Sequence, residues 1–268
     1  MTSMPTIRCL PALPLSIAAL AALLTGAEAR AQSEGPAVLA ERIQALAIEG
    51  GGAADPVALR EAAALAERAL ALHPDDALLH HYRGYALYRL ASRHECDEAE
   101  EAGCVARLLD RAEESLLASL DLGPRAETYA LLASVYGLRI GENPALGAAL
   151  GDRIDDLQAQ ARSLDAENPR VWLLRGIGDF FTPEAYGGGT APARAALERA
   201  AAAFERDAPP PPEPRWGRAD VHVWLGQVHQ AAGETERARE QYRKALAIDP
   251  EYAWVRDRLL PSLDAGGS

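Results

Sequence analysis

The stretch from Asp220 to Trp254, DVHVWLGQVHQAAGETERAREQYRKALAIDPEYAW, constrains the fold more than any other part of this chain, because its small residues fall where two helices would have to touch. Gly226 in its first half, and Ala238 and Ala245 in its second, sit where a larger side chain would hold antiparallel helices apart. Tyr242 is the bulky residue that fills the wedge between neighbouring pairs. Gly233 ends the first helix, since it takes the left-handed cap conformation at little cost, and Pro250 stops the second because it cannot continue the hydrogen-bond ladder.

The residues Leu225-Gly226, Gly233, Ala238, Tyr242, Ala245 and Pro250 stand at the spacings of the tetratricopeptide repeat family, and the segment resembles that family closely. Upstream the same skeleton recurs with departures. Ala62, Ala69 and Pro74 repeat the second-helix spacing, with Asp55 as N-cap and Pro56 at the first helical position. Gly84 takes the first-helix position of the next unit, and Ala112, Leu116 and Pro124 take the second. Gly84 and Ala112 lie 28 positions apart, against 12 between Gly226 and Ala238, so an insertion separates the two helices. A third unit carries Leu132, Ala133 and Tyr136, with Ala166 in place of the stopping proline. A fourth carries Trp172 and Gly176, then TPEAYGGG and a featureless Ala-rich helix. With an amino-terminal helix from about Pro36 to Ile48, this makes four to five hairpins, at roughly 36–74, 77–124, 126–168, 169–207 and 219–252.

Each such hairpin leaves an apolar face uncovered, and stacking at least about three buries a continuous core. The resemblance therefore implies an all-α, right-handed α-solenoid of stacked antiparallel hairpins over 32–268. The run Pro209–Pro212, with Pro214, reads as a stiff extended spacer before the last hairpin. Composition agrees with helices: aromatics are 6% of the 268 residues while Ala and Leu recur throughout.

The first residues read as a secretory leader. Arg8 precedes an apolar run from Leu15 to Leu24, too short to span a bilayer, and small-x-small sites follow at Ala27-Glu28-Ala29 and Ala29-Arg30-Ala31. Cleavage after Ala31 is expected, with Ala29 as the alternative. Cys9 precedes the apolar run and does not resemble an acylation site. The expected product is periplasmic or secreted, without stable membrane insertion. The net charge of −12, with no Lys- or Arg-rich run, argues against nucleic acid as a partner.

After processing, Cys96 and Cys104 remain, both in the inserted loop 91–107, and an even pair in an oxidising compartment is expected to form a disulfide. The rival is a metal site made of His94, Cys96, Cys104 and an acid from 97–101, but the spacing fits no zinc motif, so no metal and no cofactor are expected. His80 and His81 point about 100° apart on a helix, and His222 and His229 share one face as packing histidines. No nucleophile elbow, metalloprotease helix or phosphate loop occurs, so the chain is not expected to be an enzyme. The segment from Phe180 to Gly189 reads as a structural link with glycines for a sharp exit, or else as a ligand loop.

In the family, the first helices of successive hairpins line a concave groove. The resemblance assigns that lining to His81, Tyr85 and Tyr88, then Ala130 and Ser134, then Arg170, Ile177 and Phe180, and finally Asp220, Gln227 and Gln230. Tyr85 and Tyr88 either anchor a partner there or pack under the inserted loop. The expected function is a non-catalytic scaffold that binds a protein or peptide partner in this groove. The alternative is a small-molecule-binding accessory component of a solute uptake system.

Overall fold

Helices pair along the chain in the order the small residues require. In the computed structural model, which describes residues 34–52, 56–95 and 103–265, these are α1 (Pro36–Gly52) with α2 (Val57–Leu72), α3 (Ala77–Ser92) with α4 (Cys104–Leu122), and α5 (Ala126–Glu142) with α6 (Gly147–Leu164). Then come α7 (Pro169–Phe181) with α8 (Thr190–Phe204) and α9 (Arg218–Ala231) with α10 (Thr235–Ile248), followed by a π-turn at Val255–Leu259 and α11 (Leu260–Ala265). No strand occurs among the described residues. The fold is an all-α solenoid of helical hairpins. The expected leader at 1–31 with its cleavage sites, Asp55 and Cys96 lie outside the described residues.

Local chemistry sets the helix ends. Asp76 caps α3 by accepting the Leu79 N–H at 2.9 Å, and Asn168 caps α7 by accepting the Arg170 N–H at 3.0 Å with Pro169 at the first helical position. Gly233 has φ +74°, and Glu234 N–H returns to the His229 carbonyl at 2.8 Å, the left-handed cap read from the sequence. Pro56 stands one residue before α2, at its cap and not inside the helix.

Gly84, Gly176 and Gly226 are the contact points of three hairpins. A Cβ on Gly84 would come within 2.6 Å of Leu116, one on Gly176 within 2.6 Å of Leu197, and one on Gly226 would enter the Tyr242 ring. The featureless fourth-unit helix carries its share of this packing through Ala193, Leu197 and Ala200, all fully buried. One hydrophobic core runs from Leu39 to Val228, and a smaller one around Tyr242, Tyr252 and Val255 seals the last hairpin.

The proline-rich segment departs from the sequence reading. It is not a spacer: residues 207–217 lie back across the first helices of four hairpins as a strap. The Tyr82 hydroxyl donates to the Pro212 carbonyl, and Gln44 Nε2 donates to the Glu213 carbonyl at 3.2 Å. On the far side of Pro214, Arg215 N–H donates to Gln44 Oε1 at 2.5 Å. Arg125 holds the Glu213 carboxylate at 2.5 Å, and Trp216 stacks on Tyr85 with ring centroids 4.6 Å apart. Prolines have no N–H, so burying this segment requires donors for its carbonyls and little else. Gln44 and Tyr82 provide them.

The superhelix turns far enough that its ends meet. Gly52, the last residue of α1, abuts the Asp249 carboxylate and the Tyr252 ring beyond α10. Arg89 of α3 pairs with Asp220 of α9 at 3.3 Å while the Tyr252 hydroxyl donates to Asp220 at 2.7 Å. Both members of that pair are largely buried, so removing one alone would strand a charge at a cost of about 3 to 5 kcal/mol.

Candidate functional site

The strap divides the inner face into a filled part and an open part. His81, Tyr85, Tyr88 and Arg170, which the sequence assigns to the groove lining, are all buried, as is Ala130. His81 Nδ1 and Thr128 Oγ1 are hydrogen-bonded at 2.9 Å. Burial, and then the charges of Arg125 and Arg170, bring the His81 pKa down to about 3, so the ring is neutral. Burial raises the Tyr85 and Tyr88 hydroxyls above their ordinary value. Tyr85 accepts from Arg89 Nη1 at 2.9 Å. Arg170, 1% exposed, makes a two-pronged pair with Asp207 at 2.6 and 3.1 Å and lies over the rings of Phe204 and Trp216. Tyr85 and Arg170 grip the chain's own strap, and none of these side chains presents a surface to another molecule.

Of the remaining groove positions, Ser134 is half-buried and bonds back to the Ala130 carbonyl at 3.0 Å. Asp220 is spent on Arg89 and Tyr252. Gln230 accepts from the Tyr242 hydroxyl at 2.8 Å and donates to Ser262 at 3.2 Å. Ile177, Phe180 and Gln227 stay half-buried. His222 bonds to Gln241 at 2.8 Å and His229 to Glu234 at 2.6 Å. Cys104 is buried at the start of α4.

Around Phe180 the open part becomes an aromatic shelf. Phe180 and Phe181 at the end of α7, Trp224 on α9 and Trp254 beyond α10 meet edge to face in an unbroken series, with centroids 5.3 to 6.2 Å apart. Phe181 is 69% exposed and Trp254 39% exposed. Tyr186, in the link that follows α7, is 81% exposed. That link is a tight turn: Gly187 and Gly189 have φ +84° and +103°, and Gly189 N–H closes onto the Asp179 carbonyl at 2.7 Å. Sequence reasoning reached Phe181 only as part of the 180–189 link or ligand loop and missed Trp224 and Trp254. The available signal was the pair Phe180-Phe181 at the end of a first helix, with tryptophans at 224 and 254 in and just beyond the hairpin that follows.

Residues 219–252 match the family model for the tetratricopeptide repeat. These residues are α9, α10 and their turns, and Gly226, Tyr242 and Ala245 of that repeat are the ones packed at its centre. Among solved structures, the chain is similar to the HusA haemophore from Porphyromonas gingivalis, with TM-score 0.59 and 22% identity over 72% of this chain and 92% of that one. It is also similar to TTC0263, a thermophilic tetratricopeptide protein of Thermus thermophilus, with TM-score 0.53 and 23% identity over 78% and 91%. At these identities the likeness establishes the fold. No curated protein sequence matches the chain.

Proposed function

We propose that this chain is an exported, non-catalytic binding scaffold whose partner docks on the aromatic shelf. The observation that carries this is the aromatic series in which exposed Phe181 and Trp254 flank half-buried Trp224 and Phe180 on a rigid support. Exposed aromatics cost solvation in a monomer and act as anchors when covered. The tetratricopeptide match supports a protein partner, because that fold is used for protein interaction. The leader-like amino terminus and the cysteine pair support export to the periplasm or the exterior, with Cys96 joined to Cys104.

The test is capture of partners by the mature exported chain, with crosslinking, from the exterior fraction of its source. The wild-type chain should recover a protein that a Phe181→Ser/Trp254→Ser variant of unchanged thermal stability does not. Equal recovery by both, or nothing reproducible from either, would sink this reading.

A second reading is favoured by the similarity to a haemophore: the shelf holds a flat apolar small molecule. Quenching of Trp224 and Trp254 fluorescence by a porphyrin, lost in the same variant, would select it over a protein partner.

A further inference from the structure

The stacking of hairpins loosens at one junction. Elsewhere the second helix of a hairpin packs closely on the first helix of the next, but α6 stands off from α7 and the chain opens a cleft of about 450 Å³ between α6, α7 and α8. Its lining adds charge to Ala195 and Ala196. Arg162 of α6, Arg175 of α7 and Arg199 of α8 converge on it around Trp172 and Pro192, and Asp179 is the one acid among the described lining residues. In a chain of net charge −12, three guanidinium groups around one cleft oppose the general field of the molecule.

The charges are only partly spent. Arg175 uses Nε on Asp179 at 2.8 Å and its Nη1 comes within 3.9 Å of exposed Asp155, which leaves Nη2 without a partner among the described residues. Arg199 lies over the Trp172 ring at 3.9 Å and directs Nη2 to Glu167 and the Ala166 carbonyl, which leaves the rest of its fork. Arg162 is half-buried and has no ion-pair or hydrogen-bond partner among the described residues. A guanidinium carries five donors in a plane that matches a carboxylate or phosphate. Three of them at the rim of a cleft with an aromatic and a proline wall form a set for an anion with an apolar body, in the size range of small-ligand sites.

We propose that this cleft binds a small organic oxyanion, its head group held by Arg162 with the unspent donors of Arg175 and Arg199, its body laid against Trp172 and Pro192. The site is on the opposite side of α7 from the strap, so it stands or falls independently of the aromatic shelf. The experiment is calorimetric titration of the full chain with phenyl phosphate, benzoate, uncharged benzyl alcohol and an acidic peptide. At least one anion should bind, more weakly as salt rises, and benzyl alcohol should not; the tighter anion identifies the head group. Arg162→Gln should weaken that binding about tenfold, the loss of one charge-assisted bond, without lowering the melting temperature. No binding of either anion overturns the proposal. So does equal binding of benzyl alcohol, an unchanged affinity in Arg162→Gln, or binding of an acidic peptide alone, which would make the cleft a protein-docking surface.

Discussion

His81 is the side chain whose burial should be most visible in solution. Its folded pKa lies near 3, against 6.5 for an exposed imidazole, because burial and the charges of Arg125 and Arg170 exclude the protonated ring. The unfolded chain takes up this proton as pH falls through 6.5, while the folded chain does not until about 3, so stability is lost on acidification below 6.5. At pH 5 the unfolded form is favoured by about 1.5 pH units of one proton, or about 2 kcal/mol. His81→Asn keeps an amide to meet Thr128 and removes the titration. Urea unfolding at pH 7.5 and pH 5.0 should show the wild-type chain losing about 2 kcal/mol more than the variant. The comparison cancels every other titrating group, including His222, whose burial also lowers its pKa. Parallel losses in the two proteins, or a folded-state His81 resonance titrating near neutral pH, would refute the reasoning.

Other consequences follow from packing. Trp216→Ala removes the ring stacked between Tyr85 and Arg170 and should cost about 3 to 5 kcal/mol by urea unfolding; a loss below about 1 kcal/mol would mean that the strap does not hold the inner face together. Gly226→Ala gains helix propensity but drives a methyl into the buried Tyr242 ring, and should destabilise by about 1 to 3 kcal/mol net in the same assay, whereas Gly137→Ala, which meets nothing, should not destabilise at all. Under the proposed export, the mature chain, denatured, should show no titratable thiol from Cys96 and Cys104 before reduction and two after it, and Cys104→Ser should lower stability by about 2 to 3 kcal/mol.

The hairpins were legible because their determinants are local. Gly226 reports on Tyr242 sixteen residues away, and Gly84 on Leu116, each inside one hairpin. The strap was illegible for the opposite reason. Gln44 and Arg215 are 171 residues apart and Arg125 and Glu213 are 88 apart, and no periodicity links partners at such distances. Five prolines in six residues describe an extended segment correctly but say nothing about what it lies against. The groove assignments followed from the same limit. The positions of Tyr85 and Arg170 on their helices are those of a lining residue, but whether a lining is vacant depends on a segment that the repeat pattern does not contain.

That the inner face is occupied by the chain itself changes where a partner can be sought. A groove lined by Gln44, Tyr82, Arg125 and Arg170 has the donors to hold an extended peptide, but those donors are already bonded to Pro212, Glu213 and Asp207 of the strap. An outside peptide would have to break these bonds and expose Trp216, which is 2% exposed, while the strap, being covalently tethered, competes at high effective concentration. Binding is therefore left to surfaces that the strap does not reach. The aromatic shelf is one such surface, because Phe181 and Trp254 present apolar area that no described residue covers. Filling the groove from within also makes the support rigid: the strap ties α1 to α5 and α7, and the Arg89–Asp220 pair ties α3 to α9, so the shelf is held on a closed turn of superhelix and not on the free end of an open one.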